Sequence, residues 1–117
     1  MNTLEAIRAR KSTRRYHQKP VEADKIEQLV AAANNAPKAG ELHISVVENQ
    51  DVLKSVNDLA LTIMKNSGND FAVKRASLDG YQPLYGAPVL LLFSTPGGVP
   101  YSEAGASCAA TNVTIAA

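Results

Sequence analysis

The chain has 117 residues and a formal net charge of +1, with one cysteine and two histidines. That length supports one domain with a real core and is too short for two. The single Cys108 excludes an intrachain disulfide framework or a multi-cysteine zinc site, and His17 and His43 give no metal-ligand spacing. The opening MNTLEAIRARK lacks the apolar core of a secretory signal, and no apolar run approaches the roughly 18 residues a membrane helix needs. The expectation is a cytoplasmic protein with no metal and no membrane partner.

Asn2 followed three residues later by Glu5 marks a helix start, with Leu4 and Ile7 forming a short inward stripe and the helix ending near Arg10. The next stretch, Arg8 to Pro20, packs six Lys or Arg into thirteen residues with no acid among them. Pro20 disfavours helix at Lys19, so the segment reads as extended or looped. In extended chain, side chains alternate, and Arg10, Ser12 and Arg14 would point the same way. Two guanidinium forks with a hydroxyl between them suit the oxygens of a phosphate monoester, and Lys11 can add a point charge. A solvated basic surface run is the other reading of the same residues. The excess is local: residues 1–20 hold six basic side chains against one acid and the remainder six against ten. A nucleic-acid binder would spread its charge over a face, so no nucleic-acid partner is expected.

Residues Val21 to Asn34 read as a helix, with Ile26, Leu29, Val30 and Ala33 at helical spacing; Asn34, Asn35 and Pro37 end it. Residues 36–43, APKAGELH, are turn-rich, and Gly40 permits close backbone approach. Ile44 to Glu48 is a short strand. Asn49 then caps a helix over residues 51–65, with Leu53, Val56, Ala60 and Ile63 on one stripe. Residues 70–87 leave the type of element open, with Phe71, Val73, Tyr81 and Tyr85 as candidates to cover the core. Val89 to Thr95 is the strongest strand, apolar without alternation, as for a strand covered on both faces. Ser102 is expected to cap a last helix of small residues that sits deep, with Cys108 as a buried small residue. This helix reaches Ala117 without a terminating signal, so further material is expected beyond it or from another chain.

In this order the residues resemble the nitroreductase family of FMN-dependent oxidoreductases. The resemblance is carried by a first helix running into RKSTRRY, a proline and an amphipathic helix, NAPKAGELH before a strand, GAPVLLLF, and a small-residue helix containing Asn112. It implies an α+β nitroreductase-like fold, a central mixed sheet flanked by helices, and an intertwined homodimer with FMN at the subunit interface. It implies that Arg10, Lys11 and Ser12 hold the FMN phosphate and ribityl end with Arg14 near them. It also implies that the turn containing Pro37, Lys38, Ala39 and Glu41 lies against the flavin ring.

Where the family commonly reads A-P-S-x-x-N-x-Q-P, this chain has Lys38 for Ser, Glu41 for Asn, and His43 and Ile44 for Gln-Pro. An amide donates and accepts, whereas ionised Glu41 only accepts. It can take a bond from the flavin N3 proton, but its charge resists a reduced, anionic flavin. The family also continues past this helix through further strand and helix. The implied activity passes electrons from NAD(P)H through FMN to a nitro, quinone or similar acceptor, with no catalytic protein residue. A flavin-binding or scaffold protein with little turnover is the alternative.

Overall fold

Asn2 starts the chain's first helix as its spacing predicts. In the computed structural model, which describes residues 1–117, α1 spans Thr3–Ala9. The Asn2 carboxamide oxygen accepts from the Glu5 N–H at 3.0 Å, and the Glu5 carboxylate accepts from the Asn2 N–H at 2.9 Å. Two of the helix's orphan donors are thereby satisfied reciprocally. The other helices are α2 (Ala23–Asn34), α3 (Gln50–Lys65), α4 (Asp70–Ala76) and α5 (Ser102–Ala116), and the strands are β1 (His43–Val47) and β2 (Leu90–Ser94). They divide between two compact units: residues 1–12, 21–46 and 91–117 form one, and residues 13–20 and 47–90 the other.

The first unit is built on small side chains. Ala33 of α2 and Ala109 of α5 are both fully buried, so the two helix backbones approach closely. Ala36 completes this core, and Leu42, Ile44, Phe93 and Val113 pack around it. Gly105, one turn before Ala109, lets the chain at Lys38 lie against α5: a Cβ there would come 3.1 Å from the Lys38 Cα. Asn112 continues the same face and donates its side-chain N–H to the Ala32 carbonyl at 3.1 Å. Only one face of the small-residue helix is deep: Gly105 and Ala109 are buried, while Ser107, Cys108 and Thr111 on the other side are exposed.

Strands β1 and β2 pair as a small antiparallel sheet. Ile44 and Phe93 face the alanine core, but Val46 is 37% exposed and Leu92 52%. Coverage of β2 on both faces is therefore not found, because the residues of this unit cover only one. The expected inward stripe of α1 is corrected likewise: Leu4 and Ile7 are 64% and 50% exposed, since this seven-residue helix touches α5 without burying either side chain. Ser102 does not cap α5. Tyr101 occupies the cap with φ 63° and makes no side-chain cap bond; its left-handed turn carries Ser102 inside the helix.

The second unit is organised by side-chain amides. Asn49 caps α3 as predicted, accepting from the N–H groups of Asp51 and Val52 at 3.0 and 3.1 Å. The buried stripe of α3 is rotated from the expected one. Leu53 and Asn57 are buried and Ala60, Leu61 and Met64 half-buried, while Val56, Leu59 and Ile63 are exposed. A polar residue holds an inward position because irregular backbone packs there and needs partners. Asn57 accepts from the Leu84 N–H at 3.1 Å and donates to the Gln82 side-chain oxygen. The undecided stretch 70–87 resolves into α4, capped by Asn69, followed by a series of turns. No helix of the protein is long and apolar enough to cross a membrane.

Overpacking the α2–α5 contact tests this account. Ala109→Leu is expected to cost about 1–3 kcal/mol in denaturant unfolding, because the facing backbone at Ala33 leaves no room. Thr111→Ala on the exposed side of α5 is expected to stay within about 0.5 kcal/mol.

Candidate functional site

The basic segment follows directly from the end of α1. Arg10 caps that helix at φ −56° and ψ 129°, so the chain leaves it extended, as Pro20 and the scarcity of apolar residues predict. Every residue from Arg8 to Pro20 is exposed. Arg10 and Lys11 form no ion pair, and the two observed pairs, Lys25 with Glu22 and Lys54 with Asp58, lie elsewhere in sequence. The result is an uncompensated cationic end on a capped helix, with Ser12 next in the chain. Its donors match the acceptor oxygens of a phosphate in type and charge.

The turn after α2 brings the second group of predicted residues against α5. Lys38 and Ala39 pack on Gly105. Gly40 has φ +71°, a left-handed turn that favours glycine, and a Cβ there would lie 3.2 Å from Val99 Cγ1, so that side chain would have to shift to admit one. Lys38 and Glu41 line an open cleft of about 560 Å³ together with Leu42, His43 and Ser94 to Pro96. Pro37 lines a separate groove of about 380 Å³ with Ser107, Cys108, Thr111 and Asn112. Cys108 is therefore exposed, not buried as its small neighbours suggested. It lies one position off the Gly105, Ala109, Val113 face.

Charge within the cleft is not paired. The Lys38 ammonium donates to the Asn34 carbonyl, satisfying a terminal acceptor of α2, and makes no ion pair with Glu41. Glu41 stays an exposed carboxylate with no ion-pair partner. The cleft thus offers a carboxylate acceptor at Glu41, and the basic segment offers donors.

Arg14 falls in the second unit, where it meets residues that sequence reasoning did not single out as a site. Its guanidinium carbon lies 6.0 Å from the centre of the Tyr85 ring. Arg75 donates to the Tyr85 hydroxyl at 3.2 Å and lies 5.7 Å from the ring centres of both Phe71 and Tyr81. Tyr81 and Tyr85 meet edge to face at 6.0 Å. The bond from Arg75 holds the Tyr85 phenol below the usual tyrosine range, with Tyr81 and Arg14 adding to it and partial desolvation opposing it. Two four-residue spacings, Phe71 to Arg75 and Tyr81 to Tyr85, were the available signal. They were unreadable without knowing that a helix holds the first pair and turns hold the second.

The family model described as Nitroreductase family matches residues 7–117. The fold is similar to that of a nitroreductase with bound FMN from Bacteroides fragilis NCTC 9343, with a TM-score of 0.88 and 26% identity over 99% of this chain and 64% of that one. It is also similar to an FMN-dependent nitroreductase from Clostridium difficile R20291, with a TM-score of 0.82 and 25% identity over 97% of this chain and 54% of that one. A nitroreductase with bound FMN from Desulfitobacterium hafniense DCB-2 shares the fold at a TM-score of 0.87 and 20% identity, over 99% of this chain and 64% of that one. The chain therefore spans less than two thirds of the length of these three solved proteins. No curated protein matches it.

An ultraviolet titration of the tyrosines checks the electrostatics of the aromatic cluster. Tyr85→Phe is expected to remove an early-ionising phenol from the curve. Arg75→Gln is expected to move that phenol back up, because the guanidinium bond that favours the phenolate is lost.

Proposed function

Since this chain belongs to the nitroreductase family, we propose that it is an FMN-dependent oxidoreductase passing electrons from NAD(P)H to a nitro compound, quinone or similar small acceptor. The observation that carries the reading is the exposed, acid-free run Arg10-Lys11-Ser12, fixed to the end of a helix whose start is closed by a capping box. Cationic groups with no ion partner of their own, on a short tether from a rigid element, are suited to a phosphate monoester.

Arg10 and Lys11 would bind the FMN phosphate, with the Ser12 hydroxyl beside them and Arg14 as a further guanidinium. Pro37, Lys38, Ala39 and Glu41 would border the flavin ring, where the Glu41 carboxylate can accept from the N3–H. When bound, FMN supplies the hydride and electron chemistry. The residues of this chain bind, orient and shield, and none is asked to act as nucleophile or general acid. The exposed apolar side chains, Leu4, Ile7 and Leu92 in one unit and Leu59 and Ile63 in the other, favour a homodimer that would cover such surface. The expected setting is cytoplasmic.

A second reading is favoured by one feature. Glu41 stands where the family commonly carries an amide, and the Lys38 ammonium, turned onto Asn34, leaves its charge uncompensated. A negative charge beside the ring opposes a reduced, anionic flavin, which suits a flavin-binding protein with little turnover.

Titration with FMN, followed by flavin fluorescence, tests the binding claim. Arg10→Ala and Lys11→Ala are each expected to weaken binding by about tenfold or more, the range for charge-assisted bonds to phosphate. Failure of the wild-type protein to bind FMN would sink both readings. Steady oxidation of NAD(P)H with a nitroaromatic acceptor separates them: turnover supports the enzyme, and binding without turnover supports the alternative, with Glu41→Asn expected to raise any residual rate.

A further inference from the structure

Tyr85 is in an expensive conformation. Its φ is 54°, in the left-handed region that bulky L-residues rarely adopt, and the next residue, Gly86, is also left-handed at φ 67°. Such a residue persists only where its surroundings over-determine it. Here they do, from both sides. Before Tyr85, the Leu84 N–H donates to the Asn57 side chain at 3.1 Å, and Asn57 also holds the Gln82 amide. After it, the Gly86 carbonyl accepts from the Gln18 side-chain N–H at 2.9 Å, and the Pro88 carbonyl from that of Gln50 at 3.3 Å. The Tyr85 N–H itself closes a turn onto the Gln82 carbonyl at 2.9 Å.

The product of that strain is the direction of one ring. It stands edge to face with Tyr81, its hydroxyl accepts from Arg75, and the Arg14 guanidinium lies 6.0 Å from its centre. Arg14 and Gln18 come from the same short segment, so that segment meets the Tyr85 turn twice, once by a guanidinium over a ring and once by an amide on a carbonyl. An arginine has several rotatable bonds and points in one direction only if something holds it.

We propose that Tyr85 is a positioning residue for Arg14, its strained backbone aiming a ring that Arg75 locks so that the Arg14 guanidinium is pre-oriented for an anionic, phosphate-bearing ligand. The proposal rests on the assignment of Arg14 to the FMN site and goes beyond it by naming what orients that arginine.

The test is a mutant cycle on FMN affinity in the full chain, with a readout on the ligand-free protein beside it. Tyr85→Asn removes the ring and suits a left-handed backbone, so it is expected to fold at least as well as wild type; Tyr85→Phe keeps the ring. The expected result is FMN binding weakened about threefold to tenfold by Tyr85→Asn, within about twofold of wild type for Tyr85→Phe, and no further loss when Tyr85→Asn is added to Arg14→Ala. A loss from Tyr85→Asn that is as large with Arg14→Ala as without it overturns the proposal, as does no loss at all. In the ligand-free protein, the Arg14 side-chain N–H is expected to be less ordered by NMR relaxation in Tyr85→Asn than in wild type and Tyr85→Phe. Equal mobility in all three overturns the positioning claim whether or not FMN binds, whereas a wild type that orders Arg14 but fails to bind FMN overturns the flavin assignment and with it the role given to Arg14.

Discussion

The contact between Ala33 and Ala109 is the constraint on which the first unit depends. Two helices can approach this closely only where neither presents a side chain longer than a methyl group, and the consequence extends beyond the alanines themselves. Gly105, on the same face of α5, lets the turn after α2 lie directly on the helix, and Asn112 ties the far end of that face to the Ala32 carbonyl. Helix α1 also touches α5. The basic run that leaves α1 and the turn that carries Lys38 and Glu41 are therefore both referred to one helix. In the proposed site, parts that share a rigid support would need little additional ordering when a ligand arrives.

The second unit solves a different problem. Residues 77–89 follow no regular hydrogen-bonding pattern, so their backbone groups must find partners elsewhere. Gln18, Gln50, Asn57 and Gln82 supply them, each with an amide that bonds the segment or another amide. Burying Asn57 in α3 is tolerable because its amide finds these partners. The arrangement holds Tyr85 in a backbone conformation it would otherwise leave, and aromatic rings interleave with the guanidinium groups of Arg75 and Arg14. Local strain and local polar satisfaction are two sides of one design.

The division of charge fits the chemistry assigned to the family. Cationic groups without ion partners follow α1, and an unpaired carboxylate stands in the cleft beside β1. Phosphate recognition calls for the first. In the proposed site the second would bear on how a bound flavin is tuned, since a fixed negative charge near a ring disfavours adding electrons to it. Under the proposed function, binding and redox behaviour would be governed by different residues.

Much of the framework was legible in the residues alone, where a local rule decides. Asn2 with Glu5, Asn49, and the pair Asn34-Asn35 set helix ends because a cap is satisfied within a few residues of itself. The basic run and the small-residue helix were equally readable, one from charge and the other from volume. What the sequence could not settle was direction. The stripe of α3 turned away from Val56 and Ile63 toward Asn57, Ser102 gave up its cap to a left-handed Tyr101, and Cys108 emerged on the open side of its helix. Tyr85 looked like core cover until the turns brought it to Arg75. Helical periodicity names the residues that share a face, but which face is buried depends on what packs against it, and that information lies in distant parts of the chain.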